Sequence, residues 1–263
     1  MTAIDSFEKI TLNYHSGSIP PPFAHQYSIE IARNEQGGLH AVLQLEYTDR
    51  DELAEEEIFE EGFSNEDDYS WEGELPAIWG KEIVQKLKMS TWKKKPGNKN
   101  DDSFFEIKIA HGFKTELLYP DKPKVWEILA QEIIQAVFEL GKKEAPLQIA
   151  FLNGDTTGKA VTTAFTFYFA NQSIEIKQLE TEKKKSMDWA GGQRLLKYIF
   201  NVDYDPEKGE EKQPVKAGHY IAPGDGLWYE LAPHENAGKV AREQMEKLVA
   251  SLKDLSKFDK LES

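Results

Sequence analysis

The sequence predicts an α+β fold of two tandem related repeats, each a mostly antiparallel sheet with helices in the order βββαββα. Three observations point there. The length of 263 residues suits two modest domains. Several short segments alternate apolar and polar residues, as half-buried strands do. The second half of the chain also repeats apolar patterns of the first. Ile83, Val84 and Leu87 match Leu195, Leu196 and Ile199 at an offset of 112, with Trp79 and Trp189 just ahead of each group. Val125, Ile133, Ile134, Val137 and Leu140 match Val240, Leu248, Val249, Leu252 and Leu255 at an offset of 115. Glu116 and Leu117 match Glu230 and Leu231 at 114. Drift this small places the boundary between residues 1–144 and 145–263. The alternative is a single α+β domain whose elements recur in the same order.

In the first repeat, strands are expected at 10–14, 26–32 and 39–47, with Tyr27, Ile29 and Ile31 on one face. Pro20-Pro21-Pro22 cannot donate to a ladder and belongs in a loop or on an edge. Gly37-Gly38 marks the following hairpin. A helix starts near Pro76 and presents Trp79, Ile83 and Leu87 at i, i+4 and i+8, until Lys93-Lys94-Lys95-Pro96-Gly97-Asn98 ends it. Segments 104–110 and 113–119 form a hairpin at Gly112, and a helix at 123–140 stops at Gly141.

In the second repeat, strands are expected at 147–152, 161–170 and 173–179. The run Lys183-Lys184-Lys185 and the polar stretch 205–216 read as solvated loops, and a closing helix at 236–255 takes Asn236 as its N-cap.

Upstream of the shared helix the offset jumps. Gln44-Leu45-Glu46 matches Gln178-Leu179-Glu180 at 134, so the first repeat carries about 22 extra residues (134 less 112), an acidic insertion near 50–72. Residues 51–68 hold ten acidic side chains and no Lys or Arg, while Leu53, Ala54, Ile58, Phe59 and Phe63 offer an apolar stripe for a docked amphipathic helix. If the second repeat folds without this segment, the core does not need it. Dense negative charge beside Tyr69 and Trp71 suits capture of a basic protein, with Glu56, Glu57, Glu60, Asp67, Asp68, Tyr69 and Trp71 as the binding residues. A merely solvated surface segment is the competing reading.

Charge and composition narrow the partners. The 46 acidic residues outnumber the 32 basic ones, giving a net charge of -14 that repels phosphate backbones and anionic lipid surfaces. No nucleic-acid or membrane partner is expected. The absence of cysteine removes disulfides, thiolate metal sites and thiol nucleophiles. The N-terminal residues show neither a basic nor an apolar leader region, so a cytoplasmic location is expected.

Motifs for chemistry fail in turn. Gly154-Asp155-Thr156-Thr157-Gly158-Lys159-Ala160 is one residue short of a phosphate loop, lacks the magnesium-binding hydroxyl and precedes a strand pattern. Gly224-Asp225-Gly226 has Tyr229 where a dinucleotide fingerprint needs its third glycine. Asn65, Asp67 and Asp68 do not form a calcium loop. No metal site or cofactor is expected. The leading expectation is therefore a non-catalytic protein-binding module, with the enzyme question open. Its rival is a hydrolase, with or without a divalent cation, using His111, Glu116, His219, Glu230 and His234 in a cleft between the repeats. A small-molecule binding module using that cleft is a third option.

Overall fold

The computed structural model describes residues 7–93, 103–157, 159–233 and 238–258. The fold is α+β with two antiparallel sheets, and the chain divides into two compact units, 1–144 and 145–263.

In the first unit, β1 (Lys9–His15), β2 (His25–Arg33) and β3 (Leu39–Tyr47) form a meander. A short helix α1 (Glu55–Glu60) precedes β4 (Tyr69–Leu75). Then come α2 (Ile78–Met89), β5 (Trp92–Lys93), β6 (Phe104–His111), β7 (Lys114–Pro120) and α3 (Pro123–Leu140). The seven strands lie in the order β4-β3-β2-β1-β6-β7-β5.

Alternation makes this sheet two-faced. Ile10, Leu12, Ile29, Ile31, Leu43, Ile107 and Ile109 are buried on one side, where Trp79, Ile83 and Leu87 of α2 and Trp126, Ile133 and Val137 of α3 meet them. Each such side chain contributes roughly 1.5–3 kcal/mol by leaving water. The opposite side carries polar residues. The hairpin between β2 and β3 turns at Gly37, whose φ of +81° favours glycine.

The second unit has β8 (Leu147–Gly154), β9 (Ala160–Tyr168), β10 (Ser173–Gln178), β11 (Lys184–Met187), α4 (Trp189–Phe200), β12 (Gly218–Ala222), β13 (Tyr229–Glu230) and α5 (Lys239–Leu255). Its six strands run β11-β10-β9-β8-β12-β13. Ile149, Phe151, Phe165, Phe167, Ile174, Ile176 and Ile221 form the core with Leu195 and Ile199 of α4 and Leu248 and Leu252 of α5. Asp188 caps α4 by accepting from the Gly191 N–H at 2.7 Å.

Two strands depart from the sequence reading. Each sheet has four strands, not three, before its first long helix. In β4 the alternation Tyr69, Trp71, Gly73, Leu75 against Ser70, Glu72, Glu74 is intact, but acidic neighbours disguise it as the tail of the insertion. In β11, two lysines of the run read as a solvated loop stand in a strand. Pairing of Ile174 with Met187 and of Ile176 with Lys185 holds it there, and its lysines suit an edge that must not recruit further strands. The stretch 205–216 contains a turn of 3₁₀ helix at Pro206–Lys208, and Glu210 makes a two-way backbone bridge to Trp228. Helix α5 begins at Lys239, while Asn236 lies outside the described residues, as do 94–98 of the run expected to end α2.

Candidate binding site

The acidic segment is the connection from β3 to β4, residues 48–68, and one cation organises it. Arg50 is 7% exposed. Its Nε–H donates to the Pro22 carbonyl at 3.0 Å, and Nη1 donates to Asp67 Oδ2 at 2.8 Å and to the Ser64 carbonyl. The guanidinium lies 3.7 Å from the Tyr47 ring centre and 4.8 Å from that of Phe63, so two aromatic faces sandwich it. A planar, permanently charged fork suits this role better than a lysine would.

Asp67 completes the clamp. Its Oδ2 also accepts from the Ser64 N–H at 2.8 Å, and Oδ1 accepts from the Ser64 hydroxyl at 2.9 Å. Burial works against its charge, but these hydrogen bonds and the Arg50 guanidinium hold the carboxyl below its ordinary range. Asp68 accepts from the Tyr47 N–H at 2.7 Å and ties the end of the segment back to β3. Both acids are thus consumed in shaping the lobe.

The aromatic residues expected to serve as exposed anchors also turn inward. Tyr69 meets Phe138 of α3 edge-on at 5.1 Å beneath the Lys143 ammonium, and Trp71 lies against the backbone at Gly141. Cross-strand pairing explains this, because Tyr69 and Trp71 stand opposite Leu45 and Leu43 and share their core-facing side.

The helix in the lobe is shorter than the apolar stripe suggested. Ile58 is 1% exposed and pins α1 down, and Phe63 packs against Phe23 and Tyr47 at 5.4 and 5.8 Å. Phe59, assigned by spacing to the docked stripe, is 77% exposed. Glu57 reaches back to accept from the Ala54 N–H at 2.9 Å, a cap for the first turn. Glu55, Glu56, Glu60 and Glu61 are exposed, and none has a side-chain partner among the described residues. The surface left for a ligand is Phe59 flanked by exposed carboxylates. Only Glu56 and Glu60 of the expected binding residues belong to it. Exposure of Phe59 could not be read from periodicity, because in so short a helix Ile58 and Phe59 compete for one apolar slot.

The alternative cleft residues divide between the two units, and each is placed here within its own. His111 is exposed at the end of β6, with Nδ1 3.8 Å from Glu8. Glu116 pairs with Ile109 and so lies on the helix-covered side of its sheet, at the hairpin end. Glu230 pairs with Tyr220, on the side of the second sheet turned away from its helices, whereas His219 lies on the helix-covered side near Phe151. Glu116 and Glu230 therefore occupy opposite faces of their own sheets, and matching them at an offset of 114 is out of step. The His219 Nδ1 is buried without a partner among the described residues, and burial, with the Lys253 charge nearby, lowers its pKa. His234 lies outside the described residues. Among the described residues no three His, Asp or Glu side chains gather in a metal-holding group, and no helix is long and apolar enough to cross a membrane.

The second unit holds a hollow of about 300 Å3 bordered by Asp203, Tyr204, Glu210 and Trp228. Beside it the Tyr229 hydroxyl donates to Asp225 at 2.7 Å, which pushes the phenol up to about 12. The chain matches no protein-family model, no curated protein and no solved structure.

Proposed function

We propose that this chain is a non-catalytic protein-binding module that captures a basic protein through its acidic lobe. The observation that carries the reading is Phe59, an exposed phenyl ring on a lobe pinned from beneath by Arg50 and fringed by the exposed carboxylates of Glu55, Glu56 and Glu60. An exposed aromatic on a rigid support supplies contact area at little entropic cost, and the surrounding carboxylates steer a cationic partner and select against an acidic one.

We also infer that the two units are copies of one packing unit. The sheet orders β4-β3-β2-β1-β6-β7 and β11-β10-β9-β8-β12-β13 correspond strand by strand in chain order. Helices α2 and α4 are both 12 residues long and bury Gly80, Ile83 and Leu87 against Gly192, Leu195 and Ile199, all at an offset of 112. Both glycines face the strand preceding the fourth one: a Cβ added at Gly80 would meet Leu39 of β3, and one at Gly192 would meet Ile174 of β10. The connection from β3 to β4 takes residues 48–68, while that from β10 to β11 takes only 179–183. A lobe present in one copy and absent from the other supports a role outside the core.

The test is binding of a fluorescent lysine- and arginine-rich peptide, read by anisotropy. Phe59→Ala and the pair Glu56→Lys/Glu60→Lys are each expected to weaken binding by roughly tenfold or more, about 1.4 kcal/mol, and the charge reversal should also flatten the salt dependence. Unchanged affinity in both variants would end the proposal.

A further inference from the structure

The first sheet has an open face turned away from α2 and α3, and it holds a hollow of about 320 Å3 whose lining includes Asn13, His15, Gln26, Gln44, Glu46 and Phe104. We propose that this hollow is a binding site for a neutral carbohydrate, separate from the acidic lobe. Cross-strand register builds it. Glu46, Gln26, His15 and Phe104 stand side by side across β3, β2, β1 and β6, and Gln44, Ser28, Asn13 and Glu106 form the next row. With neighbouring strands ~4.8 Å apart, four strands give a platform of about 14 Å, enough for a short oligosaccharide.

The polar groups are oriented before any ligand arrives. The Gly17 N–H donates to His15 Nδ1 at 2.9 Å, so the neutral ring carries its proton on Nε2. Gln26 Nε2 donates to Glu46 Oε2 at 2.8 Å and leaves the other carboxylate oxygen as an acceptor. The Ser70 hydroxyl donates to Gln44 Oε1 at 2.8 Å, which turns the Gln44 amide nitrogen into the fixed donor. Asn13 gives its amide to Glu106 at 3.4 Å and keeps its carbonyl oxygen as an acceptor.

Fixed donors and acceptors interleaved on one surface suit hydroxyl groups, each of which donates and accepts. Phe104 stands at the end of the row, with Tyr119 6.2 Å beyond it, and offers an apolar ring for the C–H face of a sugar. Among the described residues no Lys or Arg lines the hollow, and the Glu46 carboxylate that does line it disfavours an anion.

The second unit shows that the fold does not require such a face. There the corresponding side carries buried Leu152, Thr162 and Tyr220, and Gln213 of the α4–β12 connection donates to the Thr162 hydroxyl at 3.1 Å. The polar, hollowed surface belongs to the first unit's own residues.

An array of neutral mono- to hexasaccharides probed with the full chain identifies the glycan, and calorimetric titration of the best one gives its affinity. At least one neutral glycan is expected to bind, and Phe104→Ala and Gln44→Ala should each weaken it roughly tenfold. Glu56→Lys/Glu60→Lys should leave glycan binding unchanged, which keeps this site distinguishable from the lobe. Thermal melts of the variants confirm that they fold. An array with no bound neutral glycan, or glycans held equally by folded Phe104→Ala and Gln44→Ala, overturns the site.

Discussion

At the scale of single residues, the acidic lobe depends on one buried cation. Removing the Arg50 side chain leaves Asp67 without its charge partner, opens the space between Tyr47 and Phe63 and strips a donor from the Pro22 carbonyl. Arg50→Ala is expected to cost about 3 kcal/mol in chemical denaturation, the low end for a broken buried pair because Asp67 keeps 31% of its exposure. Arg50→Lys should recover only part of that loss, since an ammonium cannot reach both the clamp and Pro22 with a planar fork. The lobe should also loosen in acid. The Asp67 carboxyl is lowered in the folded chain, so its stabilisation is complete above the ordinary aspartate range and is lost as pH falls through the folded value. Side-chain NMR of Asp67, together with the Arg50 Nε–H resonance, should show both changing in one titration below about pH 4. An Asp67 that titrates in the ordinary range with Arg50 undisturbed would remove the clamp.

At the scale of elements, the close approach of α4 to β10 rests on the missing side chain of Gly192. A Cβ there would lie 1.8 Å from Ile174 Cδ1, against 3.3 Å from Leu39 Cδ1 for one at Gly80. Gly192→Ala is therefore expected to destabilise by about 1–3 kcal/mol, and Gly80→Ala by clearly less. Ile174→Val deletes the offending methyl, so the double variant should be more stable than Gly192→Ala alone; additive losses in urea titrations would refute the contact. The long elements were legible because their periodicity matches their burial: Trp79, Ile83 and Leu87 on α2 and Ile29 and Ile31 on β2 are buried as the spacing predicts. The fourth strands were not. Lys184–Met187 has little strand character of its own and is held by its partner β10, a tertiary cause that a local pattern does not carry. Tyr69 and Trp71 were misplaced for the same reason, since which face an edge strand turns inward is set by its register with β3. The role of Arg50 was hidden because it sits one residue ahead of the acidic run, and only the fold brings it to Asp67.

At the scale of the whole molecule, a net charge of -14 sets a long-range field that favours basic partners, and the lobe concentrates ten acidic side chains between residues 51 and 68. Charge alone gives speed of encounter, whereas an exposed ring gives a place to dock. The two roles separate by salt: added salt should slow association with a basic protein while the loss caused by Phe59→Ala persists. The direct measurement is photo-crosslinking in a native extract, with a benzophenone side chain installed at position 59 and, as control, at the still more exposed Val215 of the second unit. Position 59 should yield crosslinks to basic proteins that disappear with Glu56→Lys/Glu60→Lys and are missing from position 215. The same products at both positions, or products of no particular charge that survive the reversal, would contradict capture by the lobe.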